Sequence, residues 1–335
     1  MGRWLWVLNH PAGRVAGPLA GLTCGVIFVT GLDGASVGAA FGQVDWRWLV
    51  PMLLLGCINL WLRALRWGVL LASATPVPTI QLLSIGLTAG LAGLGLPARA
   101  GDAVKVVLAA RLPGVGLADV AAAELLERLV DGAIFGGFIA AAALLGGVPG
   151  WPLALGLGAL VVYLPLLAAI PCMSWYLGAP PEATGPGTDP AACEARSRVR
   201  LSGSTRLIRL ASDAARRRGP ALVARAATLS LVAWATEAMS YYCLLVAFGW
   251  LAPPTLPFAA VGVANFAFAV PGAPAGVGAF HLPVSSLLVD GFGAEPGLAA
   301  AFAVALHVGV LAPVPLLWAL LAARARLQPT PIRGR

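Results

Sequence analysis

A chain of 335 residues with 59% hydrophobic and 11% charged residues is not a water-soluble enzyme domain, in which about a quarter of the residues are charged. A mean hydropathy of +0.86 places it in a membrane. The net charge of +8 is concentrated in eight arginines between Arg196 and Arg218, which read as a positive-inside signal against anionic headgroups and not as a nucleic-acid surface.

A span needs about 20 apolar residues. The first apolar run, roughly 16–32, follows a start without the basic-apolar-cleavage pattern of a signal peptide and is expected to be a retained span. Further spans are predicted at roughly 48–71, 119–146, 151–177, 221–248 and 297–323. Two apolar stretches are broken in the middle. "TIQLLSIGLTAGLAGLGLPARAGDAVKVVLAARL" (79–112) carries Pro97 and Gly101; "LPFAAVGVANFAFAVPGAPAGVGAFHLPVSSLLVDG" (256–291) carries Pro271, Pro274, Gly276 and Gly278. Proline and clustered glycine stop a helix. Irregular backbone at membrane depth survives only under cover of protein or water. Both stretches are therefore expected to be re-entrant broken hairpins.

The expected fold class is an all-α polytopic membrane protein with about six transmembrane helices and two re-entrant hairpins. It forms one membrane domain over 1–335. Two spans, a hairpin and a span occur twice in opposite sense, over about 16–146 and 151–326. Such inverted repeats place a site where the breaks meet. Basic residues set the orientation. Arg3, Arg14, Arg63, Arg66, Arg99, Lys105, Arg111, the loop 178–220, Arg324 and Arg326 fall on one side, so both termini are expected to be cytoplasmic in a cell (inner) membrane. Trp46, Trp48, Trp151 and Trp250 fall at the other face, as an aromatic belt. The loop starts Pro/Gly-rich, as a disordered segment does. It ends in "TRLIRLASDAARRR", where Leu207, Leu210, Ala211 and Ala214 can share the apolar face of a short surface-lying helix.

The stretch "AELLERLVDGAIF" puts Glu124, Glu127, Arg128 and Asp131 at the mouth of an apolar span. At i,i+3 and i,i+4 spacings they can meet on one helix face. Four unpaired charges would cost ~10 kcal/mol or more at mid-bilayer. One arginine does not neutralise three carboxylates, so partners must come from Arg63, Arg66, Arg99 and Lys105. Two readings stand: an ion-pair network fastening this span to the first hairpin, and a polar chamber for a charged headgroup. In "LPARAGDAVK", free N–H groups after the break, with Arg99 and Lys105, suit a phosphate, while Asp102 suits a helix start; a capped turn is the plain alternative. Glu237, His281 and His307 are single ionisable residues in apolar surroundings and secondary candidates; a lone histidine there is more often a packing residue. Asn265 serves a freed backbone group as easily as a ligand. The five cysteines form no CxxC pair. No GxSxG, HExxH or P-loop is present. Asp33, Asp45 and Glu295 fall in outer loops without an acidic motif. No catalytic residue, metal site or cofactor is expected.

In order, "LRALRWGVLL", "LPARAGDAVKVVL", "ELLERLVDG" and "VPGAPAGVGAFH" resemble the flippase-like membrane domain of lysylphosphatidylglycerol synthases, with its stand-alone members that include hopanoid-associated ones. The matching positions are Arg63, Arg66, Trp67, Pro97, Arg99, Gly101, Glu127, Arg128, Asp131, Pro271, Pro274, Gly276 and Gly278. Asp102 stands where the family usually has Glu, Lys105 where it has Arg, Ala275 where it has Gly, and His281 near a usual Glu. The resemblance implies movement of a phospholipid or a polyprenyl- or hopanoid-type lipid between leaflets. Its headgroup would enter a cytoplasmic pocket formed by Arg63, Arg66, Arg99, Asp102, Lys105, Glu124, Glu127, Arg128 and Asp131. The chain ends at "RLQPTPIRGR" without the soluble aminoacyl-transferase domain of bifunctional members, so lysyl transfer is not expected of it. The alternative reading is a membrane-embedded transferase, or an accessory subunit of a lipid-synthesis enzyme. The expected partners are a membrane lipid and such an enzyme, and no nucleic acid.

Overall fold

A computed structural model describes residues 22–71, 76–95, 100–146, 148, 150–176, 203–269 and 274–327. Pro97, Arg99, Pro271, the first residues of the run at 16–32 and the loop segment expected to be disordered lie outside them. The helices are α1 (Leu22–Thr30), α2 (Gly34–Gly42), α3 (Leu49–Leu71), α4 (Thr79–Gly95), α5 (Ala100–Ala109), α6 (Leu117–Leu145), α7 (Trp151–Tyr176), α8 (Gly203–Ala247), α9 (Leu256–Ala269), α10 (His281–Ser286), α11 (Pro296–Leu311) and α12 (Pro313–Leu327). No strand occurs among the described residues. Five helices are long and apolar enough to cross a membrane, six if the bent pair α1–α2 counts as one. The molecule is an all-α polytopic membrane protein.

The Trp-bearing end is fixed by direct contacts. Asp45 donates its N–H to the Ala247 carbonyl (2.8 Å), and Trp151 Nε1 donates to Asp290 (3.3 Å). Trp46, Trp48 and Trp151 are exposed there. Arg47 is the basic residue beside them, and its charge is cancelled by Asp45 (2.9 Å). Residues can be ranked by depth from this end at about 1.5 Å per helical residue. Asp131 in α6 lies about 21 Å below Leu145, and Arg66 in α3 about 27 Å below Trp48. Glu237 in α8 lies only about 15 Å below Ala247, and His307 about 16 Å from Pro296.

Both broken stretches fold back. α4 and α5 pack on each other. A Cβ on Gly101 would meet the Ala89 carbonyl oxygen at 2.5 Å, so this close approach needs glycine. α9 leaves the Trp-bearing end, and the chain returns there through a 3-10 turn (Pro274–Gly276), α10 and a π turn (Leu287–Gly291). The break requires positive φ at Ala275 (56°), Gly276 (75°) and Gly278 (85°). The first hairpin enters from the opposite end, and its helix α4 packs against the Pro274–Gly276 turn. The hairpins thus enter from opposite ends and meet inside the bundle.

Around them α3 packs along α8, and α6 packs on α7, α8 and α9. Small residues set these distances. A Cβ on Gly156 would strike the backbone of Ala140 (2.5 Å to its N), and one on Gly262 would strike Ile139 (2.6 Å). Two apolar cores result. One includes Ile139, Leu244, Val263, Phe280 and Phe302. The other, including Trp67, Leu70, Leu87, Val120 and Leu126, surrounds the first hairpin. Leu54 and Ile58 of α3 and Val161 of α7 remain exposed, as sides facing acyl chains would.

Two elements differ from the sequence expectation. The first run is not one straight span: α1 and α2 are bent by 84° to each other. Asp33 causes the restart by capping α2, its carboxylate accepting from the N–H groups of Ala35 and Ser36 (both 3.2 Å). The surface-lying helix expected before the fifth span is no separate element, because α8 runs unbroken over 45 residues from Gly203. Pro220 lies within it and does not end it.

Candidate functional site

On α3, Arg63, Arg66 and Trp67 sit at i, i+3 and i+4 and so turn toward one side. Arg66 is fully buried, and its guanidinium joins three helices. It donates to Asp131 Oδ1 of α6 (2.6 Å), to Glu127 Oε1 of α6 and to Ser230 Oγ of α8 (3.0 Å). A flat fork of donors suits two carboxylates at once, which an ammonium does not match. Trp234 Nε1 adds a fourth bond, to Asp131 Oδ1 (2.7 Å).

The first hairpin docks on the same helix. Lys105 of α5 pairs with Glu124 (2.5 Å) and Glu127 (3.1 Å), and its Nζ lies 4.2 Å from the Trp67 ring centroid, a cation–π arrangement. Arg128 pairs with Asp102 (2.9 Å), with side chains 41% and 44% exposed, so this edge of the cluster is open. Helix α6 carries its four charges within an arc of about 100°, and each finds its ion-pair partner on another helix. Glu127 and Asp131, at i,i+4, face Arg66; Glu124 and Glu127, at i,i+3, share Lys105. Arg128 lies about 100° round the helix from Glu127 and finds its partner on α5. The charges of Glu127, Glu124 and Asp131 on its own helix also act on Arg128.

Arg63 behaves differently from Arg66. Its Cζ lies 5.1 Å over the Trp234 ring, and no carboxylate holds it within ion-pair distance among the described residues. It borders a cavity of about 280 Å³ together with Trp67, Asp102, Lys105, Glu127 and Arg128. Leucines of α4 and Gly86, Gly90, Gly93 and Gly101 form its apolar wall. The buried indole N–H of Trp67 has no hydrogen-bond partner among the described residues. Three cations and two carboxylates therefore border this space, with one guanidinium and one N–H donor unused. Its polar rim can take an anionic or zwitterionic group, and its wall an aliphatic one.

Asn265, His281 and His307 are not part of this cluster, and Glu237 borders it, with the charges of Arg63 and Asp131 acting on it. Tyr241 Oη and Asn265 Nδ2 donate to Glu237 Oε1 (3.0 and 3.3 Å), and Asn265 also donates to the Val261 carbonyl (2.9 Å). His281 and His307 bond to each other at the second break (3.1 Å). Asp33, Asp45 and Glu295 cap the starts of α2, the Trp46–Trp48 turn and α11. Hydrogen bonds from Ala35 and Ser36, and from Arg47, hold Asp33 and Asp45 below the usual carboxylate range.

Sequence reasoning missed Ser230, Trp234 and Asn59. Asn59 Nδ2 donates to the Ala233 carbonyl (2.7 Å). The usable signal was a polar residue in an apolar span: Asn59 and Ser230 both lie where α3 meets α8. Trp234 gave none.

No curated protein and no solved structure matches the chain. A family model described as the lysylphosphatidylglycerol synthase TM region matches residues 14–317. With nearly its whole length matched, and with its charged helix faces converging around a folded-back segment, the chain belongs to the family of lysylphosphatidylglycerol synthase transmembrane regions.

Proposed function

We propose that the protein moves a phospholipid, or a polyprenyl- or hopanoid-type lipid, between leaflets, and that its headgroup enters the cavity beside Arg63. One observation carries this reading. The cavity joins unused donors, the Arg63 guanidinium and the Trp67 N–H, to an apolar wall supplied by a hairpin, and Arg128 and Asp102 leave one edge open. The headgroup would exchange contacts with these charges while the acyl chains stay beside the exposed helix faces in lipid. We read the charged end as cytoplasmic from the positive-inside rule, and the two helix sets, about 16–146 and 151–326, as inverted repeats. The hairpin tips then form the element that opens alternately. Group transfer is the second reading; the outer carboxylates Asp33, Asp45 and Glu295 cap helix starts.

The purified chain, reconstituted into phosphatidylethanolamine–phosphatidylglycerol vesicles carrying a headgroup-labelled fluorescent lipid, should expose inner-leaflet label to an external quencher faster than protein-free vesicles do. Arg63→Gln should slow this at least tenfold, and Val161→Ala, on an exposed face, should not. Movement no faster than in protein-free vesicles, or unchanged in Arg63→Gln, overturns the proposal.

A further inference from the structure

Three carboxylate side chains are buried among the described residues: Glu127, Asp131 and Glu237. The first two are ion-paired to Arg66. Glu237 has no cation within ion-pair distance among the described residues. Its Oε1 accepts from Tyr241 Oη (3.0 Å) and Asn265 Nδ2 (3.3 Å), and its Oε2 accepts no hydrogen bond there. An ionised carboxylate buried without a paired counter-charge is costly.

The cation that acts on Glu237 most strongly is Arg63, and the charge of Asp131 opposes it. Trp234 and Glu237 are i,i+3 neighbours on α8, about 5–6 Å apart at Cβ, and the Arg63 guanidinium rests over the Trp234 ring at 5.1 Å. An unpaired guanidinium and an unpaired carboxylate therefore stand about one helical turn apart. They are too far apart to bond and close enough to interact through a low-dielectric interior. Arg63 also borders the cavity, whereas Glu237 does not line it, so an anion in the cavity can bond to Arg63 without touching Glu237.

The elements packed against α8 carry other titratable groups: Cys57 and Arg66 on α3, Asp119, Glu124, Glu127, Arg128 and Asp131 on α6, Tyr163 on α7, His307 on α11 and Arg47 in the Trp46–Trp48 turn. α9 carries none, and Tyr241, Tyr242 and Cys243 lie nearby on α8 itself. The carboxylates around the cavity keep partners of opposite sign at contact distance: Glu127 and Asp131 on Arg66, Glu124 on Lys105, Asp102 on Arg128. Glu237 depends instead on the field of Arg63. An anion bonded to Arg63 cancels that field, and a proton on Glu237 then restores neutrality. The coupling is reciprocal: a proton already on Glu237 removes a negative charge beside the cavity and strengthens the hold on the anion.

We propose that Glu237 is a proton site coupled to the cavity, so that one proton on Glu237 and a phosphate-bearing lipid headgroup on Arg63 promote each other's binding. The inference rests on the cavity being where the headgroup enters, and it names the ion that accompanies an anionic lipid. A proton gradient would then draw such a headgroup in the same direction as the proton.

The test titrates the full chain in detergent with dihexanoyl phosphatidylglycerol, whose phosphodiester stays ionised between pH 5.5 and 8.5. Calorimetry in two buffers of different ionisation enthalpy counts the protons taken up per lipid bound. Uptake should be positive and no more than one, and affinity should rise at least tenfold from pH 8.5 to pH 5.5. Glu237→Gln, a neutral side chain that still accepts from Tyr241 and Asn265, should take up no proton and bind at every pH as tightly as the unmodified chain does at pH 5.5. Arg63→Gln should weaken binding at least tenfold and abolish uptake. If Glu237→Gln does not fold, ¹³C-glutamate labelling of the unmodified chain decides, because lipid should bring up the infrared band of a protonated glutamic acid. Glycerophosphoglycerol, the same headgroup without acyl chains, should bind at least tenfold more weakly; equal binding assigns the cavity to a soluble phosphate ester and overturns the lipid as the coupled anion. Lipid bound without proton uptake, or uptake that persists in Glu237→Gln, overturns the proton site and leaves the headgroup reading intact. Coupled binding without lipid movement in vesicles overturns the movement and leaves the proton site standing. Absence of lipid binding overturns both.

Discussion

The first hairpin, α4–α5, is fastened by charge, whereas the tip of the second is held by neutral imidazoles and aromatic faces. In the first, Lys105 and Asp102 reach across to three charged residues of α6, and one of them, Glu127, is also held by Arg66. Each group there has a partner of opposite sign, and removing one strands another in a low-dielectric interior. In the second, a carbonyl, two rings and an amide share three hydrogen bonds. Each neutral bond contributes about 1 kcal/mol net. Such a contact opens far more readily than an ion-pair network. The difference separates an element built to persist from one able to change.

Arg66→Ala attacks this comparison hardest. It leaves Glu127 and Asp131 buried and unpaired, so it should cost about 3–5 kcal/mol and lower the unfolding midpoint in detergent by far more than any substitution at the second hairpin. Arg66→Met with Glu127→Gln and Asp131→Asn should recover most of that loss, because neutral groups of similar size carry no stranded charge. Recovery by the triple variant separates a charge effect from a packing one. Trp234→Phe comes next. It keeps most of the ring against Phe135, whose centroid is 4.7 Å away, but removes the donor to buried Asp131. A loss of about 1–3 kcal/mol is expected in the same melt. Arg63→Gln should lower stability by less than about 1 kcal/mol, since no carboxylate pairs with it, while slowing lipid movement. An unfolding midpoint depressed as far as in Arg66→Ala would erase the distinction between the two arginines. The smallest effect belongs to the second hairpin. Ala275→Gly relieves a positive φ and should stabilise by up to about 1 kcal/mol. A destabilised variant would show that the Ala275 methyl makes contacts worth more than its strain.

Much of this was legible in the sequence, because length and hydropathy report directly on what crosses a bilayer. The span at 119–146 and the hairpins at 79–112 and 256–291 correspond to α6, α4–α5 and α9–α10, since proline and glycine act locally on the backbone. The helix α2 was not legible. "GASVGAAFG" reads as loop by propensity, and what makes it helical is the Asp33 cap and packing against α11. At the charged cluster, composition named the ions but not the pairs. Which carboxylate meets which cation depends on helix rotation, and the i,i+4 rule alone would have joined Glu124 to Arg128. The separate fate of Arg63, three residues from Arg66, was equally invisible, as was the indole donor of Trp234, which sits on a helix more than 160 residues further along.

The burial of Arg66 also bears on how the protein is made. Its two carboxylates lie 61 and 65 residues later in the chain. At about 5–20 residues per second, synthesis delivers them roughly 3–13 s after the arginine. Through that interval α3 carries a guanidinium whose insertion costs several kcal/mol without a counter-ion. Its final seat in the bilayer must therefore wait for α6, and insertion of the first half of the molecule is a joint event, with α3 and α6 settling together.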